Sequence, residues 1–502
     1  MTLQVPNDHR RIIPRWRNSR IALTTGELLP SHSAKLPVIS GLDLFAEKKR
    51  SWLENRNIIT AAELVSVGLS QGYLVDSVEA ANYIIDHSPS VAPVVVDIAS
   101  EILVRAGRKE QSVSNGLLEI DSAELYSKIH ILKQRLILYP RNPLMWVDLS
   151  RCYVLLNQRG KAQDAMSMAM KLAPKNRFVL RSAARLYVHL DQPDIAHDLL
   201  VRQDITYHDP WLLAAEIAVA NVAEINPRFV KNSKELLQRN RFHPFHTAEL
   251  TSALASIELF SGAHKKARKL FESSLISPTE NSVAQSVWAK QWLPTLDVGT
   301  TALNIPRTYE AKTWNAYINL DWQGIVHAST DWSLDEPFSS RPAELGSYAA
   351  AIGIGDYALA ESIARKGLFA NPDDHGLKNN RAFALASQNN LSEAIRVLNS
   401  VSRPAPNLPT EIALTATEGM INLRSGNFEY GSLCYLNAIE MASRESLTKV
   451  GALASIFYAR EMNNVGLFTK DAAIQFAEDA VRKVMSPDIK WLVEKIKQEM
   501  LA

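Results

Sequence analysis

From about residue 46 to the end of the chain, apolar residues recur three and four positions apart, the spacing that one-sided burial of a helix demands. Ser51 to Leu69 reads as one amphipathic helix, Ser77 to His87 as a second and Val91 to Arg105 as a third. No alternating pattern of useful strand length is present. Before residue 46 no period is sustained, and Pro6, Pro14, Pro30 and Pro37 would break any helix there. That stretch reads as an extended arm. Its Ile12, Ile13, Trp16, Ile21 and Leu23 imply that it packs on something.

A longer period lies over the helical one. Tyr153 and Tyr187 are 34 residues apart, as are Ala162 and Ala196, and Tyr139-Pro140 and Ala173-Pro174 keep the same interval. Such a period marks a repeated helix–turn–helix unit. In the clearest unit, from Pro143 to Asn176, Trp146, Leu149 and Tyr153 share one helix face. A turn follows at Asn157 to Gly160, then Ala162, Met166 and Ala169 line a second helix that Pro174 ends. Small Ala162 and Ala169 let the two helices approach, and large Trp146 and Tyr153 fill the gap toward the next hairpin. The next unit, Arg177 to Pro210, keeps Ala184, Tyr187 and Ala196. The phase returns at Gly262, Ala267 and Phe271, at Gly355, Ala360 and Pro372, at Ala394 and Pro406, and at Gly419, Gly426, Tyr435 and Ala438.

These residues resemble the tetratricopeptide repeat, whose pattern is Trp, Leu, Gly and Tyr in the first helix, then Ala, Phe and Ala, then Pro. Ser150 stands at the glycine position and Met166 at the phenylalanine position. About six units are recognisable. The resemblance is strong over 143–208 and 341–440 and spans 46–502 in weaker form. It implies an all-α protein, a right-handed α-solenoid of tetratricopeptide-like helix–turn–helix repeats. The expected organisation is an extended basic arm (1–45), degenerate helical repeats (46–140), repeats with a basic groove (141–298), an irregular joint with degenerate helices (299–342), repeats with an apolar groove (343–445) and C-terminal capping helices (446–502). The joint is drawn from two interruptions, 296–310 and 331–342, rich in Gly, Ser, Thr and Pro. The last stretch, from Asp471, reads as two helices broken at Ser486-Pro487.

Composition adds class. The apolar fraction of 46% and charged fraction of 22% are ordinary for a soluble protein. Two cysteines, Cys152 and Cys434, exclude a disulfide framework and favour a reducing compartment. Both sit in helical patterns among bulky apolar residues, as buried inert thiols do. No apolar leader or membrane-spanning stretch is present, so the expectation is a soluble, cytoplasmic protein with no membrane partner. The net charge of +2 conceals local bias. Residues 131–190 carry eleven Lys or Arg against only Asp148 and Asp164, and residues 228–270 carry nine against three acids. The arm adds Arg10, Arg11, Arg15, Arg17 and Arg20.

Motifs for chemistry are lacking. No phosphate loop occurs, and Gly353-Ile-Gly355 follows no strand and fits a repeat turn. His243 and His246 lack a third ligand nearby. No catalytic residue, metal or cofactor is assigned, and the chain is read as a non-enzyme.

The resemblance also maps a groove, because fixed first-helix positions line the concave face in this family. Arg151, Arg181 and Arg185 fall there, with His189 beside them and Lys175 at the junction. They would attract an acidic peptide, a phosphate backbone or a nucleotide. Relatives that grip a chaperone's C-terminal carboxylate use a Lys and Asn pair. Arg151 and Arg185 stand at the Asn positions, against that role. Farther on, the same phases give Ala413, Ala416, Met420 and Leu423, followed by Arg424. Ala416, Met420 and Leu423 would suit an apolar helix or extended peptide, or be filled by the chain's own arm or a neighbouring repeat. Arg15, Trp16, Arg17 and Arg20 of the arm would dock on an acidic partner, or stack on and neutralise nucleic acid. The leading expectation is a non-catalytic scaffold or adaptor holding a partner protein with an acidic segment inside a multi-subunit assembly. Proteins with this repeat also serve as sensors or accessory subunits in bacterial regulatory and antiphage systems. The alternatives are a nucleic-acid-binding subunit and an enzyme with a site assembled across repeats. A homo-oligomer stays open.

Overall fold

The computed structural model describes residues 13–17, 41–114, 122–482, 484 and 486–501. They fall into two compact units that divide after Trp314. The N-terminal unit contains α1 (Gly41–Glu54), α2 (Ile58–Gln71), α3 (Val78–Asp86), α4 (Pro93–Ser114), α5 (Ser122–Leu138), α6 (Pro143–Leu155), α7 (Arg159–Leu172), α8 (Arg177–His189), α9 (Pro193–Val201), α10 (Pro210–Val222), α11 (Val230–Gln238), α12 (Pro244–Phe260), α13 (His264–Ser274), α14 (Glu280–Ala289) and α15 (Thr300–Leu303). The division falls within α16 (Tyr309–Ile318). The C-terminal unit continues with α17 (Trp322–Asp335), α18 (Arg341–Tyr348) running into a π-helical turn, α19 (Tyr357–Ala370), α20 (His375–Ser387), α21 (Leu391–Asn399), α22 (Leu408–Arg424), α23 (Phe428–Arg444), α24 (Thr448–Asn464), α25 (Lys470–Val481) and α26 (Pro487–Leu501). No strand occurs among the described residues.

Local chemistry sets where these helices start and stop. Asn142 accepts from the amides of Leu144 and Met145, Asn176 from Val179, Asp209 from Trp211 and Leu212, Asp374 from Leu377, and Asn407 from Thr410. Each satisfies orphan donors at the start of a first helix. The turn inside each hairpin is left-handed, with Asn157, Asp191 and Asn389 at φ 52°, 58° and 62° and glycines at 262, 355 and 426. The amides of Gln158 and Gln192 return to the carbonyls of Tyr153 and Tyr187 at 2.8 Å. The 34-residue tyrosine spacing is therefore also the spacing of the turn's anchor.

Tight packing within a hairpin comes from a pair of small residues. Ser150 and Ala162, Ala184 and Ala196, Ala255 and Ala267, Ala382 and Ala394, and Gly419 and Gly431 each stand one on the first helix and one on the second, and all are buried. A Cβ at Gly419 would meet the Gly431 carbonyl oxygen at 2.9 Å and the Tyr435 ring at 2.8 Å. Ser150 fits the same phase because its hydroxyl donates to the Ala162 carbonyl at 2.7 Å.

First helices also pack on one another in order. In the N-terminal unit the row is α6, α8, α10, α12 and α14, and in the C-terminal unit it is α18, α20, α22, α24 and α26. Both units are thus stacks of tetratricopeptide-like hairpins, an all-α repeat fold.

Several boundaries differ from the sequence pattern. Ser51 to Leu69 is two helices, because Asn57 takes the amides of Ile59 and Thr60 while Thr60 returns to the Asn57 amide. Helix α1 begins at Gly41, inside the stretch read as arm, and α4 continues past Arg105 to Ser114. Asp331 lies within α17 and Pro342 within α18, so the break between them narrows to 336–340.

Candidate functional site

The first-helix row of the N-terminal unit carries a segment of the chain itself. Residues Ile13–Arg17 lie extended against it, with Pro14 and Trp16 buried and Trp16 at 0% exposure. Pro14 fixes its own φ, donates no amide and holds Ile13 extended. The wall grips main chain and side chains together. Asn281 on α14 donates Nδ2 to the Ile13 carbonyl at 3.1 Å, and Arg151 on α6 donates Nε to the Trp16 carbonyl at 3.3 Å. Arg15 pairs with Glu310 on α16, and Arg17 pairs with Glu280 on α14. Glu310 is only 2% exposed, while Glu280 keeps 24% of its side chain in solvent.

A polar chain ties this grip together. Arg181 on α8 donates to Glu249 on α12 and to the Trp211 carbonyl, both at 2.9 Å, with its guanidinium 5.2 Å from the Trp211 ring centroid. Glu249 accepts in turn from Asn281 at 3.3 Å. Burial pushes the Glu280 carboxyl up, but the Arg17 charge and hydrogen bond, with Arg15 behind them, hold it below the ordinary carboxylate range. Burial, then the charges of Arg185 and Arg159, push His189 down to about 3, so its ring is neutral near pH 7.

The site residues expected from sequence divide accordingly. Arg151 and Arg181 do lie on this wall. The expectation that the arginines face an open groove needs correction. Arg185 is buried at 8% exposure, and the charge of Arg181 is met by Glu249, a carboxylate of the chain itself. Lys175 is exposed at the α7–α8 turn. Trp16 is enclosed and offers no face for a base to stack on, and Arg20 lies outside the described residues. The carboxylates of Glu249, Glu280 and Glu310, with Asn281, were missed, because they lie outside the stretches of strong repeat phase, 143–208 and 341–440, and single acids carry no motif.

The apolar groove expected in the C-terminal unit is absent at its assigned positions. Ala416 and Met420 are at 0% and Leu423 at 1% exposure. Helix α22 packs on α20, α21, α23 and α24, and these three side chains are buried in that packing. Arg424 bonds both oxygens of Glu461, at 2.7 and 3.0 Å, and the Ala386 carbonyl at 2.8 Å. Arg460 bonds the same carboxylate at 2.6 Å. Glu461 is fully buried, and the two guanidiniums hold it below its ordinary range against the opposing effect of burial. A second buried carboxylate, Asp488 at the start of α26, accepts from the hydroxyls of Tyr317 and Tyr348 at 2.8 and 2.9 Å and pairs with Lys449 at 2.8 Å. Burial and the Asp488 charge push both tyrosines well above their ordinary value, so they serve as hydrogen-bond donors.

Remaining sequence signals are structural. Burial pushes the thiols of Cys152 and Cys434 up. Gly355 is a left-handed turn at φ 83°, and Gly353 makes room for the Trp322 ring, which a Cβ would meet at 2.2 Å. His243 caps α12 through the Phe245 amide, and His246 accepts from the Trp211 indole at 3.4 Å. Among the described residues, no three His, Cys, Asp or Glu side chains converge as metal ligands, and no helix is long and apolar enough to cross a membrane.

No family model matches the sequence, and no curated protein matches it. Solved helical structures do match at low similarity. Yeast Tom70 aligns over 92% of this chain and 95% of its own at 12% identity, with a TM-score of 0.32. Human IFIT1, solved as a dimer with m7Gppp-AAAA, aligns over 76% and 95% at 13% identity and 0.38. The Cut9–Hcn1 hetero-tetramer of APC/C aligns over 91% and 93% at 10% identity and 0.37. At these identities and scores the matches assign no activity and no site.

Proposed function

We propose that this chain is a non-catalytic helical-repeat scaffold that holds a partner protein on the first-helix wall of its N-terminal unit, within a larger assembly. One observation carries the reading: that wall already binds an extended segment, taking its carbonyls with Asn281 and Arg151, its cations with carboxylates and its tryptophan in an enclosed site. Main-chain hydrogen bonds can supply affinity for an extended peptide while side-chain pockets supply selectivity. Service as a sensor or accessory subunit in a bacterial regulatory or antiphage system is a narrower form of this reading, supported by the repeat resemblance.

The test is affinity purification of the tagged full chain from native cells, beside an Arg151→Ala/Asn281→Ala variant with an unchanged thermal melt. A partner enriched with the wild type and lost with the variant is expected. Equal capture by both, or no enriched protein, rules the wall out.

A further inference from the structure

The segment Ile13–Arg17 tells what the wall selects. Arg15 and Arg17 flank Trp16 in sequence. The two cations meet Glu310 and Glu280, and the aromatic is enclosed. Asn281, Arg151, Glu310 and Glu280 all meet the segment through their side chains. The segment is therefore held as a ligand is held, although it belongs to the chain.

Electrostatics limits what can replace it. Withdrawing Arg15 and Arg17 takes an ion pair from Glu280 and from the nearly enclosed Glu310. Removing one member of a buried ion pair is strongly unfavourable. An incoming acidic peptide or a nucleic-acid phosphate would add like charge beside Glu249, Glu280 and Glu310. A segment that returns two cations at the same spacing around an aromatic side chain restores both ion pairs.

Building on the scaffold reading, we infer that Ile13–Arg17 is a tethered, exchangeable occupant of this wall, and that the partner segment displacing it is extended, basic and anchored by an aromatic residue between two cations. Covalent attachment gives the chain's own segment a high effective concentration, so the wall stays closed to weak competitors.

The experiment uses the full chain with Arg15→Ser/Arg17→Ser, a second full-length variant Trp16→Ala, and a fluorescent synthetic peptide spanning residues 10–20 of this sequence. Both variants are expected to bind the peptide at least about tenfold tighter than the wild type, with affinity falling as salt rises. Glu310→Gln in the double-serine background is expected to weaken that binding about tenfold, and a peptide with Glu in place of both central arginines is expected not to bind. Equal binding to wild type and variants, no binding to either variant, or equal binding of the acidic peptide overturns the inference. So does loss of the cooperative melt in both variants, which would make the segment part of the core. Capture of a partner from cells without peptide exchange leaves the scaffold reading standing and removes this one. Peptide exchange without any captured partner does the reverse.

Discussion

The same row of first helices does opposite work in the two units. In the N-terminal unit, Arg181 reaches past α10 to Glu249 on α12, and the resulting polar surface grips an extended segment. In the C-terminal unit, Arg424 turns to Glu461 on the adjacent first helix, and the carboxylate is shut away between two guanidiniums. The partners of the two carboxylates separate the cases: Glu249 is shared between Arg181 and Asn281, the residue that also holds the segment, whereas Glu461 lies between Arg424 and Arg460 with no side-chain exposure. A repeat phase fixes which way a side chain points, and the neighbouring helices decide whether anything can reach it.

The contrast breaks most readily at its two carboxylates. Glu461→Ala strands two guanidiniums, one on a buried arginine, and should cost about 3–5 kcal/mol in denaturant unfolding. Glu249→Ala acts at the edge of the segment site, where Arg181 keeps some solvent and a second acceptor, and should cost only about 1–2 kcal/mol. Equal costs would mean that both carboxylates serve the core alike.

The hairpin contact gives a sharper, smaller comparison. Gly419→Ala drives a methyl into the Gly431 carbonyl and the Tyr435 ring, and should lower stability by about 1–3 kcal/mol. Ser150→Ala, at the same phase in the N-terminal unit, loses one buried hydrogen bond and should cost about 1 kcal/mol. If Gly419→Ala proves harmless in a thermal melt, the close backbone approach in the C-terminal unit is not a constraint.

A pH dependence belongs to His189. Its folded value of about 3 lies below the ordinary 6.5, so the unfolded chain binds the extra proton between those limits. The contribution is complete above the unfolded value and is lost as pH falls below it, at no more than about 1.4 kcal/mol per pH unit. His189→Gln should therefore flatten the fall in stability between about pH 7 and about pH 5, read by chemical denaturation. An unchanged pH slope would show that the ring is solvated in the folded chain.

What was legible in the sequence is what is local. Asparagine and aspartate caps, left-handed turn residues and small hairpin pairs act within a few residues or one hairpin, so the repeat could be read from spacing. The break at Asn55–Asn57 was hidden because an apolar period can run across a cap. Arg151 and Arg181 were placed on their wall by phase. Their setting was not, because the Arg17–Glu280 and Arg15–Glu310 pairs join residues 263 and 295 positions apart. Ala416, Met420 and Leu423 failed for a related reason: small and apolar residues look alike in a groove and in a core, and only the packing of α20 and α24 separates the two.

The Asp488 cluster bears on how the C-terminal unit comes apart. Stacked repeats contact only their neighbours, so an array ordinarily unravels from whichever end is weaker. Here Asp488, from the helix where the chain leaves the unit, accepts from Tyr317, from the helix where it enters, while Lys449 reaches the same carboxylate from between. Entry and exit are fastened to one another, and fraying at either must first break a bond held by the other. The unit is thereby driven toward melting as a single cooperative body.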